Sequence, residues 1–228
     1  MSSDAARASS LATAARAIVQ KRTLAETLDA IVLAARDALP GFDHVGLALL
    51  TRTGEVETKA ATDPLVRELD HLQYTAGEGP CLSALHETPV VVVPDLRREQ
   101  RWPRYLSSAL RTGLRSQMAV RLSVGDQATL GGLNLYSTVR DDIAPEAQEL
   151  ATSFATHAAI ALHQAREIAN LHDALESRKV IGQAIGIVME RYQLNEDRAF
   201  AFLVRASSYG NVKLRDVAQE LVDKSNSL

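Results

Sequence analysis

The sequence predicts an α+β domain, an antiparallel sheet flanked by helices, joined by a long coiled-coil helix to an all-α three-helix module. Three observations predict it. Paired apolar–polar alternations, each pair bent around a turn signal, bracket helical spacings within the first 140 residues. After Pro145 no further Pro occurs, and no Gly before Gly182, so one helix can run unbroken to about residue 191. The remaining chain divides into short segments, each with one apolar stripe.

Residues 11–39 read as helix, with Leu24, Leu28, Ile31, Val32 and Ala35 at helical spacing, and "LPGF" ends it. "HVGLALLTRTGEVETKAAT" gives two strands around Thr53-Gly54. "PLVRELDHLQ" is helical, and "YTAGEGPCLSALHETPV" is Gly-rich, then helical from Pro80. "PVVVVPDL" reads as a buried strand with Pro at each end, followed by mixed loop and helix over "RREQRWPRYLSSALRTGLRS". "QMAVRLSVGDQATLGGLNLYS" alternates as a second hairpin around Gly125-Asp126. Strands paired through hairpins, with helices between, make an α+β order. In the long helix Ala161, Ala165, Ile168, His172 and Leu175 fall at steps of four and three, a seam suited to a parallel helix pair. Three short helices follow over residues 178–191, 195–208 and 213–223. Ala199, Phe202, Leu203 and Ala206 form the expected buried stripe of the second, and Leu214, Val217, Ala218 and Leu221 that of the third.

The formal net charge is −3, but it is uneven: residues from Ser177 onward sum to +2 and the remainder to −5. A basic end on an acidic body hints at an anionic partner. The single cysteine excludes an internal disulfide framework and a thiolate-based zinc site. No apolar run approaches the roughly 20 residues of a membrane span, and the start lacks a secretory apolar region, so a cytoplasmic location is expected. Six histidines form no HExxH-like set, and no Ser/His/Asp or paired-carboxylate arrangement occurs, so neither catalysis nor a metal or cofactor is expected.

"YTAGEGPCLSAL" (74–85), "RWPRY" (101–105), "GLRSQMAVRL" (113–122) and "LGGLNLYS" (130–137) together resemble a GAF domain over about residues 23–163. The resemblance implies a sensory module answering an unknown small-molecule or protein signal. It places any ligand pocket near Tyr74, Leu82, Trp102, Met118 and Tyr136, residues that in the plainer reading fill the core. The Asn-Lys-Xaa(n)-Phe-Xaa3-Asp-Glu pattern of cyclic-nucleotide-binding GAF domains is absent. Cys81 stands at a helix start, where a thiolate is favoured; a redox switch and a buried structural cysteine are the alternatives.

The run "SRKVIGQAIGIVMERYQLNEDRAFAFLVRASSYGNVKLRDVAQELV" (177–222) resembles an ANTAR domain. That resemblance implies a dimeric RNA-binding output module that relieves transcription termination by holding paired hairpins in a nascent leader transcript. The expected domains are then a helical extension over 1–22, the GAF domain over 23–163, a coiled-coil linker over 164–177, and the ANTAR domain over 178–228.

Gly182 and Gly186 each cost about 1 kcal/mol relative to Ala inside a helix, yet they lie four apart on one face. A bare strip beside Gln183 and Ala184, bracketed by Arg178, Lys179 and Arg191, suits a phosphate backbone or a looped-out base. Arg198 and Arg205, seven apart, extend the track, and Lys213 and Arg215 open the third helix. Glycines four apart also suit close helix packing. Many ANTAR domains carry "QAKG" where this chain reads "QAIG" at Ile185, and by that resemblance the electrostatic share of binding is expected to be reduced. Tyr192 and Tyr209 are the aromatics considered for base stacking. Two other readings remain open: a DNA-binding regulator with a GAF sensor, whose recognition helix offers only Arg215 and Gln219, and a ligand- or protein-docking module without a nucleic-acid partner.

Overall fold

The computed structural model describes Thr13, Ile18, residues 23–125 and residues 128–226. The helical extension expected over residues 1–22 lies largely outside the described residues, as does Asp126 of the second turn. The chain divides into two units, Met1–Arg166 and Glu167–Leu228.

In the first unit, α1 (Leu24–Ala38) opens on a capping box: Thr23 Oγ1 accepts from the Glu26 N–H and Glu26 Oε2 from the Thr23 N–H, each at 3.2 Å. Next come β1 (His44–Leu50), β2 (Val56–Ala61), α2 (Pro64–Ala76), α3 (Pro80–His86), β3 (Val90–Val93), α4 (Pro103–Ala109), β4 (Ser116–Val124), β5 (Ala128–Ser137) and the start of α5 (Pro145–Tyr192). The five strands pair antiparallel in the order β2-β1-β5-β4-β3, and both expected hairpins are present. β3 is buried as expected, with Val91 and Val93 in the core, and it is also an edge strand: it pairs with β4 alone among the described strands, and its flanking prolines suit an edge, where no donor is missed. The centre of the sheet is tight. A Cβ at Gly131 of β5 would stand 1.9 Å from the Ala48 carbonyl oxygen of β1, so only glycine fits there.

Strand alternation gives the sheet two apolar faces. On one, Leu47, Met118, Val120, Leu133 and Leu135 pack with Ile31 and Val32 of α1 and with Ala151, Phe154, Ala158 and Leu162 of α5. On the other, Ala119 and Tyr136 pack with Val66 and Leu69 of α2, Ala84 of α3, and Tyr105 and Leu106 of α4.

The second unit holds the end of α5, then α6 (Glu196–Gly210) and α7 (Leu214–Asn226). Gln193 turns the chain out of α5 at φ 51°, Asn195 caps α6 by accepting from the Arg198 N–H at 3.1 Å, and Asn211 ends α6 at φ 50°. Val180, Ala184, Val188, Ala199, Leu203, Ala218 and Val222 form its core. Three of these are alanines, so the core is small and its stability marginal. Phe202 and Ala206 depart from the expected stripe of α6: both are exposed, and only Ala199 and Leu203 are sealed.

Candidate nucleic-acid interface

The end of α5 turns its two sides to different tasks. Val180, Ala184 and Val188 recur every four residues and face the core. Gly182 and Gly186 sit two positions beyond Val180 and Ala184, about 200° around the helix, and so face away from it. A Cβ built on either glycine meets nothing within 4 Å. Arg178 stands one turn before Gly182, and Lys179 three and seven residues before the glycines, so both cations edge the strip. Both are exposed, as is Gln183; Lys179 makes only a loose pair with Glu176 at 3.9 Å.

Two residues expected in this strip are elsewhere. Ala184 is wholly buried in the three-helix core, because a residue midway between two outward glycines points inward. Arg191, seven after Ala184, is exposed but falls on the core-facing side past the end of the core. Arg198 and Arg205 share one exposed face of α6, and Lys213 and Arg215 are exposed around the start of α7. Gln219, the base-reading candidate of a DNA-binding alternative, donates to Asp223 Oδ1 at 2.8 Å. Phe202, which sequence reasoning placed in the core, lies 38% exposed with its ring 5.5 Å from that of Tyr192.

In the first unit the expected pocket residues divide between the two faces of the sheet. Met118 packs on the α1/α5 face, whereas Tyr136 and Trp102 belong to the α2/α4 face. Trp102 lines a cleft of about 290 Å³ with Ser83, Thr88, Val91 and Arg101; its indole N–H donates to Ser83 Oγ at 3.2 Å and the Arg101 guanidinium stands 4.3 Å over its ring. Tyr74 and Leu82 are half-buried beside Cys81.

Between α2 and the sheet lies a polar network that sequence reasoning missed. Asp70, wholly buried, accepts from Thr58 Oγ1 at 2.6 Å, from Asn134 Nδ2 at 2.8 Å and from the Tyr136 hydroxyl. Gln73 donates to the Tyr136 oxygen at 3.0 Å and accepts the Cys81 N–H at 2.8 Å, while Tyr105 donates to Gln117 Oε1 at 2.6 Å. Burial pushes the Asp70 carboxyl up to about 6, against the three donors that favour its charged form. Burial, reinforced by Asp70, pushes the Cys81 thiol up to about 12, so the thiolate expected at this helix start is disfavoured. A signal was available: Asp70 and Gln73 fall four and seven residues after Val66, on the apolar side of α2.

The family comparisons divide the chain in the same places. A family model described as GAF domain matches residues 21–163, and one described as ANTAR domain matches residues 169–222. No curated protein matches the sequence. Among solved structures, the GAF domain of an Acinetobacter phosphoenolpyruvate-protein phosphotransferase is 16% identical, with a TM-score of 0.58 over 72% of this chain and 97% of its own. The free methionine-R-sulfoxide reductase of Neisseria meningitidis is 17% identical, with a TM-score of 0.56 over 69% of this chain and 89% of its own. The GAF domain of the Coxiella burnetii phosphotransferase is 17% identical, with a TM-score of 0.56 over 72% of this chain and 96% of its own. At such identities the likeness shows the fold alone.

Proposed function

The chain belongs to the GAF domain family and ends in an ANTAR domain, an RNA-binding antitermination module, and on that premise we propose that it grips two RNA hairpin loops at once as a dimer. It is a signal-transducing regulator of transcription, and we read it as a non-enzyme acting in the cytoplasm; among the described residues no helix is long and apolar enough to cross a membrane. The observation that carries the reading is the open glycine strip of α5, turned away from the core and edged by Arg178 and Lys179. Helix interiors disfavour glycine, so two of them with empty space above suit a ligand backbone that comes close. Arg198, Arg205, Lys213 and Arg215 add phosphate contacts whose loss weakens binding and lowers its salt dependence.

Dimerisation is supported by the segment of α5 before the strip. Ile168, Leu171 and Leu175 are 53%, 63% and 63% exposed and follow one another at steps of three and four. We infer that Leu171 takes the place of His172 in the seam read from sequence, since both are exposed and only the leucine is apolar. Across two copies, six such half-exposed side chains supply about 5–11 kcal/mol on burial, against an association cost of about 4–15 kcal/mol. That balance suits a reversible dimer, one that a signal in the GAF domain can bias. Arg178 occupies the next seam position, three after Leu175, where two copies would oppose guanidinium to guanidinium; close pairing ends there and leaves the glycine strip to RNA. Two modules engaging two loops together gain avidity without new contacts.

The test is a gel shift of the full chain with a two-hairpin RNA beside a DNA duplex of equal length. Retention of the RNA alone supports the reading, and preference for the duplex defeats it.

A further inference from the structure

We propose that α6 presents a stacking face for unpaired RNA bases, built from Arg198, Phe202, Arg205 and Tyr209 with Tyr192 of α5 beside it. The proposal rests on the RNA-binding reading and deepens it, because it assigns base recognition to a surface distinct from the glycine strip.

The four residues of α6 fall at i, i+4, i+7 and i+11, so they form one stripe along the helix in which cation and ring alternate. All four are exposed: Tyr209 is 98% and Phe202 38% exposed, and Tyr192, 53% exposed, meets the Phe202 ring at 5.5 Å with the planes tilted by 35°. Glu196 falls on the far side of the helix, and Asp197 flanks the stripe in one row with the uncharged Ala201 and Ser208, four and eleven residues on. Among the described residues, no carboxylate forms an ion pair with the side chain of Arg198 or Arg205.

Two features separate this stripe from an ordinary solvated face. Exposed rings cost solubility in a module whose core is already short of large apolar side chains, and folding Phe202 inward would have enlarged that core. Guanidinium groups without internal partners are free to pair with phosphate, at a spacing that sets each ring next to a cation. Rings between cations, on a convex helix face, match the chemistry of single-stranded nucleic acid: bases stack on aromatic and guanidinium planes while the backbone is neutralised alongside. An apolar protein partner would gain nothing from the unpaired arginines. The Tyr192–Phe202 pair is a platform between α5 and α6, and Tyr209, two residues before the αL cap at Asn211, is an exposed ring that closes on a base.

The experiment uses the full chain and a pool of two-hairpin RNAs with randomised loops, enriched for retention by the unaltered protein. Phe202→Leu and Tyr209→Leu keep apolar bulk and net charge and remove the ring, together with its hydroxyl at Tyr209. Each is expected to weaken binding of the enriched pool about 5- to 150-fold, the range for one lost base stack, with the salt slope unchanged. Arg205→Ala is expected to lower that slope by about one. Ultraviolet crosslinking of the same complex, mapped by mass spectrometry, is expected to join loop bases to Tyr192, Phe202 or Tyr209. Circular dichroism melts separate a folding defect from lost stacking, and Tyr209, which packs against almost nothing, is the variant that cannot fail for that reason. Unchanged affinity in both leucine variants, with crosslinks mapping elsewhere, overturns the stacking face alone. Failure of the unaltered chain to enrich any RNA overturns it together with the reading on which it rests.

Discussion

Replacing Gly182 and Gly186 by alanine changes two quantities in opposite directions. Neither added methyl meets an atom within 4 Å, so no clash offsets the gain in helix propensity. Each substitution is worth about 1 kcal/mol in a helix interior, hence about 2 kcal/mol for the pair. In a module of roughly 60 residues that raises the melting temperature by about 8–16 °C. The same methyls stand where RNA is proposed to touch the backbone of α5, and there they hold it away. The double variant is therefore expected to melt higher and bind RNA more weakly. Melts followed at 222 nm and titrations of an enriched two-hairpin RNA measure both. Gly186→Leu carries the effect further: helix content is retained and RNA binding is lost. A double-alanine variant that is more stable and binds RNA with undiminished affinity refutes the reasoning, since the glycines would then serve no close approach.

Three other outcomes follow from the geometry. Asp70 titrates near 6 when folded and near 3.8 as a free carboxyl, so between those values the folded chain holds a proton that the unfolded chain has released. Stability in the first unit therefore falls as pH rises through this window, by about 3 kcal/mol in all. Asp70→Asn, which can still accept from Tyr136 and Asn134 and donate to Thr58, is expected to remove that slope and to raise the melting temperature at pH 7.5 but not at pH 4. Cys81, buried and pushed up to about 12, is expected to react with iodoacetamide at pH 8 only on the timescale of unfolding; fast labelling in the native state would revive the redox-switch alternative. Leu171→Glu opposes like charges across the proposed seam and is expected to yield a monomer by ultracentrifugation, whereas His172→Glu leaves the dimer intact; the reverse pattern would restore the seam through His172.

The parts of this chain legible in its sequence are those governed by local periodicity. Two-residue alternation located β1, β2, β4 and β5, and the long stretch without Pro or Gly located α5. The edge position of β3 was not legible, because a Val-rich run between prolines has the same appearance in the middle of a sheet as at its side. Ala184 was misread although its signal was present: two residues past an outward glycine is about half-way around the helix, on its opposite side. Phe202 was misread because a stripe of Ala199, Phe202, Leu203 and Ala206 is wider than three short helices can cover. His172 and Leu171 both step from Ile168 at seam spacing and both are exposed, so only the apolar character of the leucine tells them apart. The Asp70 network joins residues more than sixty positions apart, from α2 to β5, and no local pattern reports such a pairing.

The central claim concerns two copies of one chain and two loops of one RNA, and stoichiometry tests it most directly. Sedimentation of the full chain with a saturating two-hairpin RNA is expected to give a complex of two protein chains and one RNA, and deleting one hairpin is expected to weaken it by far more than half. A complex of one chain with one RNA, as tight on a single hairpin as on the pair, would contradict the account.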